Sequence, residues 1–390
     1  MGAVAARIGQ LAWADVLAQA QGLQHRGGAP VPPGAARLED LPVTGPAEIL
    51  AVTRAAARGK GAALMSSGGT TGRPKLTYVP YGQAVGRLLT EWRPLTPDHV
   101  LLNLFNPGRM WASHYYMQTL SERSDCTVMP SGPFAPEDVG RWLPMFEEVG
   151  LNALAGTPTA LADFAEGVLR AGASLPVDVV IWMAEPWTDA KHHTMLKAFP
   201  DAGYWGNYGS VETYVMATAT PECDFEVLHL MPDQVLELED KGALLTRRGD
   251  GWTVPAVRYR LGDRIGPAAC RCGRPDALRV LGRADDSVSL RSALFSVGEV
   301  LAHARELAGV EEAQLVLTRS NDSLRSASAL TLQYAGDADP DAVRAHLTAG
   351  FIHLAAVDSR YPGAIGARRV GQVDRVDRTN KVPPTVWRDE

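Results

Sequence analysis

A chain of 390 residues, 46% hydrophobic and 21% charged, with a formal net charge of −6 at pH 7, has room for two or three packed domains at roughly 150 residues each. The acidic balance argues against a nucleic-acid partner held on a broad basic surface, and no run reaches the roughly 18 uninterrupted apolar residues that a membrane span needs, so no membrane association is expected. The opening segment carries Arg7 and Asp15 inside its apolar pattern and lacks the apolar core of a signal peptide, which makes a cytoplasmic location the expectation.

Residues 1–60 show helical patterning interrupted by the Gly/Pro-rich HRGGAPVPPGAA, which reads as loop. From Ala62 onward short apolar runs alternate with helical segments: VLLNLFN, PEDVGRWLPMFEEVG, LNALAG, PTALADFAEGVLRAG and VDVVIWMAE. Strands joined by crossover helices give that alternation, hence an α/β sheet with ligand sites at strand ends. After about Pro221 the runs EVLHLMP, VLELED, GALLTRR and TVPAVRYRLGD suggest a small antiparallel sheet or distorted barrel. Beyond Gly282 two helical stretches, SVGEVLAHARELAG and PDAVRAHLTAGF, frame the strand-like AQLVLTR and ALTLQYAG. The expected fold class is therefore α/β. A large domain over 1–282, with a small β-rich subdomain at about 221–282, precedes a small mobile α+β domain over 283–390.

Ser66-Ser67-Gly68-Gly69-Thr70-Thr71-Gly72-Arg73-Pro74-Lys75 follows the strand-like AALM. Glycines let backbone curl without steric penalty, exposed N–H groups and hydroxyls grip phosphate oxygens, and a lysine offsets their charge, so the stretch reads as an ATP phosphate clamp. It does not fit GxxxxGK[ST], because Lys75 follows Pro74 and precedes Leu76, which argues against an ordinary P-loop. A plain Ser/Thr/Gly surface loop is the competing reading.

This loop resembles the signature of the acyl-adenylate-forming superfamily, and four further runs resemble its other signatures in the same order. They are Ala184-Glu185-Pro186-Trp187, Tyr208-Gly209-Ser210-Val211-Glu212, Arg258-Tyr259-Arg260-Leu261-Gly262-Asp263 and Gly282-Arg283-Ala284-Asp285-Asp286. The second of the five, with Met183 before it in place of glycine, is similar to a run in the phenylacetate-CoA ligase-like branch. The resemblance implies a compact member that joins a small, aromatic carboxylic acid to AMP with release of pyrophosphate. Acyl transfer to CoA, a carrier-protein thiol or an amine would follow.

The same resemblance implies roles. Ser67, Gly68, Gly69, Thr70, Thr71, Gly72 and Lys75 would handle phosphates, with Thr70 and Lys75 in the catalytic set. Glu212 would hold Mg²⁺, a hard cation suited to oxygen donors. Ala184, Glu185, Pro186, Asn207, Tyr208 and Gly209 would form the adenine slot, and Asp263 would accept hydrogen bonds from the ribose hydroxyls, with Arg283 close by. Asp285 would be the hinge of the C-terminal domain, and Lys381 the lysine that reaches the α-phosphate. Taken singly, Asp263 could be a turn residue, Glu212 a helix-terminal charge and Lys381 part of a frayed basic tail. Arg291-Ser292 replaces the usual Arg-Gly after the hinge, and the segment before the phosphate loop is short for the family. An aromatic group, Trp111, His114, Tyr115, Tyr116 and Trp182, is the candidate acid pocket, with ordinary core as its competitor.

Cys223 and His229 lie six apart, and Cys270 and Cys272 two apart. Three thiolates and an imidazole suit a closed, structural Zn²⁺ site. Four unrelated core residues are the alternative. Two other functions remain open at this point: ATP-dependent activation of another oxyanion such as nitrite, and a degenerate nucleotide-binding protein.

Overall fold

The computed structural model describes residues 6–66, 76–82, 84–108, 110–249, 256–284, 287–290, 293–319 and 326–389. Two compact units divide the chain: Met1–Trp187 with Lys191–Leu281, and Thr188–Ala190 with Gly282–Glu390.

A nine-stranded sheet runs through the first unit, in the order Asp263–Pro267, Ala277–Arg283, Leu228–Leu230, Tyr214–Ala219, Gly203–Ser210, Val179–Met183, Ala153–Gly156, Val100–Asn103 and Thr127–Pro130. The last five of these pair in parallel. Their crossovers are the helices Ala112–Arg123, Pro158–Arg170 and Asp189–Ala198 and a pair of short helices, Pro136–Val139 and Leu143–Glu148. VVIWM is buried at every position, as a parallel strand covered on both faces must be. Pro158–Arg170 starts where Thr157 Oγ1 accepts the Ala160 N–H at 3.1 Å and Pro158 occupies the first turn.

Chain order and sheet order part company at one place. Val100–Asn103 is followed by Thr127–Pro130 on one side of it and by Ala153–Gly156 on the other. The carboxyl ends of Val100–Asn103 and Ala153–Gly156 therefore flank a topological switch point, where open α/β sheets bind ligands.

Gln234–Glu237, Leu244–Arg247 and Ala256–Arg260 form a four-stranded antiparallel sheet together with Arg7–Gly9. The small sheet thus takes a strand from the opposite end of the unit. It does not take Leu228–Leu230, the run EVLHLMP expected in it, which pairs instead with Tyr214–Ala219 in the large sheet. Ala62–Ser66 and Leu76–Pro80 make a separate antiparallel hairpin, with Ser66 opposite Leu76.

In the second unit Ala293–Ser296, Ser287–Leu290, Ser326–Ala335, Glu312–Arg319 and Thr385–Arg388 lie side by side, and Ile365–Arg369 also pairs with Ser326–Ala335. Helices Val297–Arg305 and Pro340–Gly350 begin at caps: Ser296 Oγ accepts from Glu299 N–H, and Asp339 from Asp341 and Ala342. Val300, Leu315, Leu332, Tyr334, Val343 and Leu347 fill the core beneath them. No helix among the described residues is long and apolar enough to cross a membrane.

Candidate active site and a cysteine–histidine cluster

Ser67–Lys75, which includes Gly68, Gly69, Thr70, Thr71 and Gly72, lies outside the described residues, as do Asp285, Arg291 and Ser292. The hairpin that flanks the loop is anchored. Ser66 is 1% exposed and its N–H donates to Met110 O at 2.8 Å.

The remaining nucleotide candidates of the first unit collect where two parallel strands end. Val179–Met183 runs into Ala184, an alanine at φ 80°, a left-handed conformation that costs a non-glycine residue of order 1 kcal/mol. Ala184 and Pro186 are exposed, whereas the Glu185 side chain turns inward and is 6% exposed. Its Oε1 accepts the Thr159 N–H at 2.5 Å and the Thr159 hydroxyl, and meets Lys191 Nζ at 3.6 Å. Glu185 thus sits at the amino end of Pro158–Arg170, where an anion is favoured by the helix dipole. Trp187 N–H donates to Glu226 Oε1 at 3.0 Å. The segment 184–186 is consequently pinned at both ends, with Glu185 as one of its anchors.

Gly203–Ser210 supplies Asn207 and Tyr208. Asn207 Nδ2 donates to Tyr116 Oη at 2.7 Å, and burial drives the Tyr116 phenol well above its ordinary pKa. Tyr208 Oη donates to Asp263 Oδ2 at 2.7 Å, so the two residues assigned separately to adenine and ribose form one unit. A Cβ on Gly209 would lie 2.2 Å from Tyr214 O, which explains the glycine by backbone contact alone. Glu212 follows in the turn, 4% exposed, with Tyr259 Oη donating to its Oε1 at 3.3 Å.

Arg247 is fully buried beside this turn, bonded to Gln234 and to the carbonyls of Thr213 and Val215, and desolvation lowers its pKa to about 9. Arg258, at φ 45°, grips Glu237 with two N–H···O bonds of 3.0 and 3.1 Å and Leu41 O at 2.7 Å. Thr159, Lys191, Gln234, Arg247 and Tyr259 are the supports that sequence reasoning missed. Tyr259 alone stood inside one of the five family-like runs.

The acid-pocket candidates separate. Trp111 is 3% exposed and meets Phe105 edge-on at 5.8 Å. His114, 4% exposed, donates its Nδ1–H to Phe105 O at 2.6 Å, while Asn103 Nδ2 donates to His114 O at 3.1 Å. These groups sit at the switch point, and Tyr115 is partly exposed beside His114, their rings 5.8 Å apart. Trp182 does not join them. Side chains alternate along a strand, so Val180 and Trp182 pack into one core while Ile181 and Met183 pack with Trp111 and Tyr116 on the other face. The Trp182 ring lies over Gly206 and against Trp187.

In the second unit, Arg283 ends the strand Ala277–Arg283. Lys381 lies in an ordered turn, not a frayed tail: Val376 N–H donates to Lys381 O at 2.8 Å, and Thr379 beneath it is 1% exposed.

The four metal candidates come together. Cys223, His229, Cys270 and Cys272 place their ligand atoms within 4.8 Å of one another; Cys223 comes from the segment before Leu228–Leu230, His229 from that strand, and the other two from the loop before Ala277–Arg283. Cys223 Sγ and Cys272 Sγ are 3.7 Å apart, and Cys272 Sγ is 3.3 Å from His229 Nε2. Zn–S bonds of about 2.3 Å set tetrahedral sulfurs about 3.8 Å apart, so the spacing fits that ion. His229 Nδ1–H donates to Pro275 O at 2.8 Å, which leaves Nε2 as the lone-pair nitrogen. Burial opposes ionisation of Cys270, yet N–H groups of Cys272 and Asp224 hold its thiol down at about 6; burial and the neighbouring Cys270 and Cys223 push Cys272 up to about 11.

Comparison with known proteins defines the class. A 2-hydroxyisobutyryl-CoA ligase in the postadenylation state, complexed with R3-HIB-AMP, is similar over 97% of this chain and 86% of its own, with 17% identity and a TM-score of 0.64. ATP-bound MatB from Rhodopseudomonas palustris is similar over 84% of this chain and 70% of its own, with 15% identity and a TM-score of 0.58. No curated protein matches the sequence. Residues 14–258 match the model of the AMP-binding enzyme family, and the chain belongs to that family.

Proposed function

We propose that the chain catalyses ATP-dependent adenylation of a small carboxylic acid, aromatic in its preferred form, followed by transfer of the acyl group to CoA or a carrier thiol. The observation that carries the reading is the gathering of Glu212, the Tyr208–Asp263 pair and the pinned 184–186 backbone around the ends of adjacent parallel strands. The ligase structures above, bound to acyl-AMP and ATP, support the same chemistry on the same fold.

In this reading a substrate carboxylate oxygen attacks the α-phosphorus of ATP and the bond to pyrophosphate breaks. Two anions must approach, so the site has to neutralise charge and fix orientation. Asp263, oriented by Tyr208, accepts from the ribose hydroxyls, and the exposed 184–186 backbone borders the adenine. Thr70, Thr71 and Lys75 hold the phosphates. Glu212 would offer one carboxylate to a Mg²⁺, which would supply charge neutralisation at the triphosphate. Its buried, hydrogen-bonded carboxylate fits that use. Lys381 is the lysine that the family resemblance assigns to the α-phosphate. In the second half-reaction the thiol sulfur attacks the acyl carbonyl, its proton leaves to solvent or base, and AMP departs.

Trp111, His114 and Tyr115 at the switch point are the acid pocket. The Cys223/His229/Cys270/Cys272 group holds structural Zn²⁺. Its four protein ligands leave no open position for catalysis.

ATP–pyrophosphate exchange across a panel of aryl and short aliphatic acids tests the reading. Exchange strongest with an aryl acid is the expected result, and silence across the whole panel overturns it. Lys381→Ala should lower exchange by ~10²–10³-fold, the scale of one lost transition-state charge contact, while sparing transfer from preformed acyl-AMP.

A further inference from the structure

The turn that presents Glu212 is held by a buried cation from another sheet. Tyr214 adopts φ 62°, a left-handed conformation that a tyrosine keeps only when its surroundings enforce it. The carbonyls on either side of it, Thr213 O and Val215 O, both accept from the Arg247 guanidinium, the second at 2.7 Å. Arg247 comes from Leu244–Arg247 in the small sheet and has no exposed surface. Gln234, on the paired strand, takes Arg247 Nε at 3.0 Å and Nη2 at 2.8 Å on its side-chain oxygen. Its amide nitrogen donates to Met216 O and Met231 O at 3.2 and 3.3 Å.

An aliphatic side chain would fill this volume without the desolvation cost of a buried guanidinium. What an aliphatic residue cannot do is grip two carbonyls through a rigid planar fork. On the other side of the turn Ser210 Oγ lies 2.9 Å from Thr213 Oγ1, and Tyr259 from the next strand of the small sheet reaches the Glu212 carboxylate itself. Two strands of the small sheet therefore fix the turn, one by its backbone and one by its acid.

We propose that Arg247, braced by Gln234, is a positioning residue that sets the Glu212 carboxylate for the divalent cation accompanying ATP. The inference rests on the adenylation reading. It predicts that loosening the backbone of 213–215 weakens metal–nucleotide binding without touching any residue in contact with either.

The test uses the full chain with Arg247→Lys, Arg247→Met and Tyr259→Phe. Calorimetry follows Mn²⁺ with α,β-methylene-ATP, hydrogen exchange follows amides 211–216 in ligand-free protein, and thermal unfolding reports folding. Arg247→Lys should remain folded, exchange faster at 211–216, and need ~10–100-fold more Mn²⁺ for half-saturation, as lost supports of metal ligands typically do. Tyr259→Phe should weaken Mn²⁺ binding while leaving amide exchange at 213–215 unchanged. Mn²⁺ demand within twofold of wild type in a folded Arg247→Lys overturns the inference, as does loss of the fold in both Arg247 variants, which makes the residue part of the core only. Wild-type protein that binds no nucleotide with Mn²⁺ instead defeats the reading beneath it.

Discussion

Among the described residues, two side-chain groups bring metal-type donors within 4.8 Å of one another, Cys223/His229/Cys270/Cys272 in the first unit and His303/Glu306/His346 in the second. In the first, Cys223 Sγ and Cys272 Sγ stand at tetrahedral spacing and His229 Nδ1 is tied to Pro275 O, which frees Nε2 for a metal. In the second, the two imidazoles stack at 4.0 Å with 11° between their planes. His303 Nε2 faces His346 O at 3.1 Å, His346 Nε2 faces His303 O at 2.8 Å, and His303 Nδ1 faces Glu306 Oε2 at 2.9 Å. Imidazole lone pairs lie in the ring plane, so an ion about 2.1 Å from each nitrogen cannot lie in both planes of a parallel stack. Proximity is common to the two groups, and direction separates them: the second ties helix to helix.

The sharpest way to break this contrast is to remove the first group. Cys270→Ser with Cys272→Ser should abolish bound zinc in purified protein, read by elemental analysis. The melting temperature should fall by roughly 10 °C, at about 2–4 °C per kcal/mol for domains of this size. His229→Ala alone should weaken zinc binding in a competition titration with a chelator, leaving three thiolates and partial occupancy. Smaller still, His303→Gln and His346→Gln should leave zinc content unchanged and cost ~0.5–1.5 kcal/mol in denaturant unfolding, the worth of a hydrogen bond between helices. Glu306→Gln, at an exposed end of the stack, should fall below ~0.5 kcal/mol. Zinc lost on changing His303 or His346 would erase the distinction.

The same contrast between residue and direction separates what could be read from the chain and what could not. Ala184-Glu185-Pro186, Tyr208-Gly209 and Asp263 could be picked out as candidates because each lies in a short contiguous run, and a run keeps its order whatever the fold does around it. Their supports are not contiguous. Thr159 meets Glu185, Tyr259 meets Glu212 and Arg247 meets Thr213 only because strand order brings separate segments together. Trp182 was misplaced for a related reason. A strand buried at all five positions gives no hydrophobic contrast by which to tell its faces. Leu228–Leu230 likewise had the composition of a strand, and composition does not name the partner strand. The alternation of strand and helix over 100–210 needed neither, and it carried the α/β class.

One pairing bears on how the molecule assembles. Arg7–Gly9 lies against Val235–Glu237, so the sheet that braces the Glu212 turn gains its edge strand from almost the whole length of the first unit away. Closing so long a loop costs chain entropy before any contact repays it, and non-local pairings of this kind are slow to form. Competence to bind nucleotide should therefore trail the burial of the parallel-strand core during refolding. Stopped-flow tryptophan fluorescence against recovery of nucleotide binding measures that lag, and simultaneous recovery would show that the edge strand is dispensable for the site.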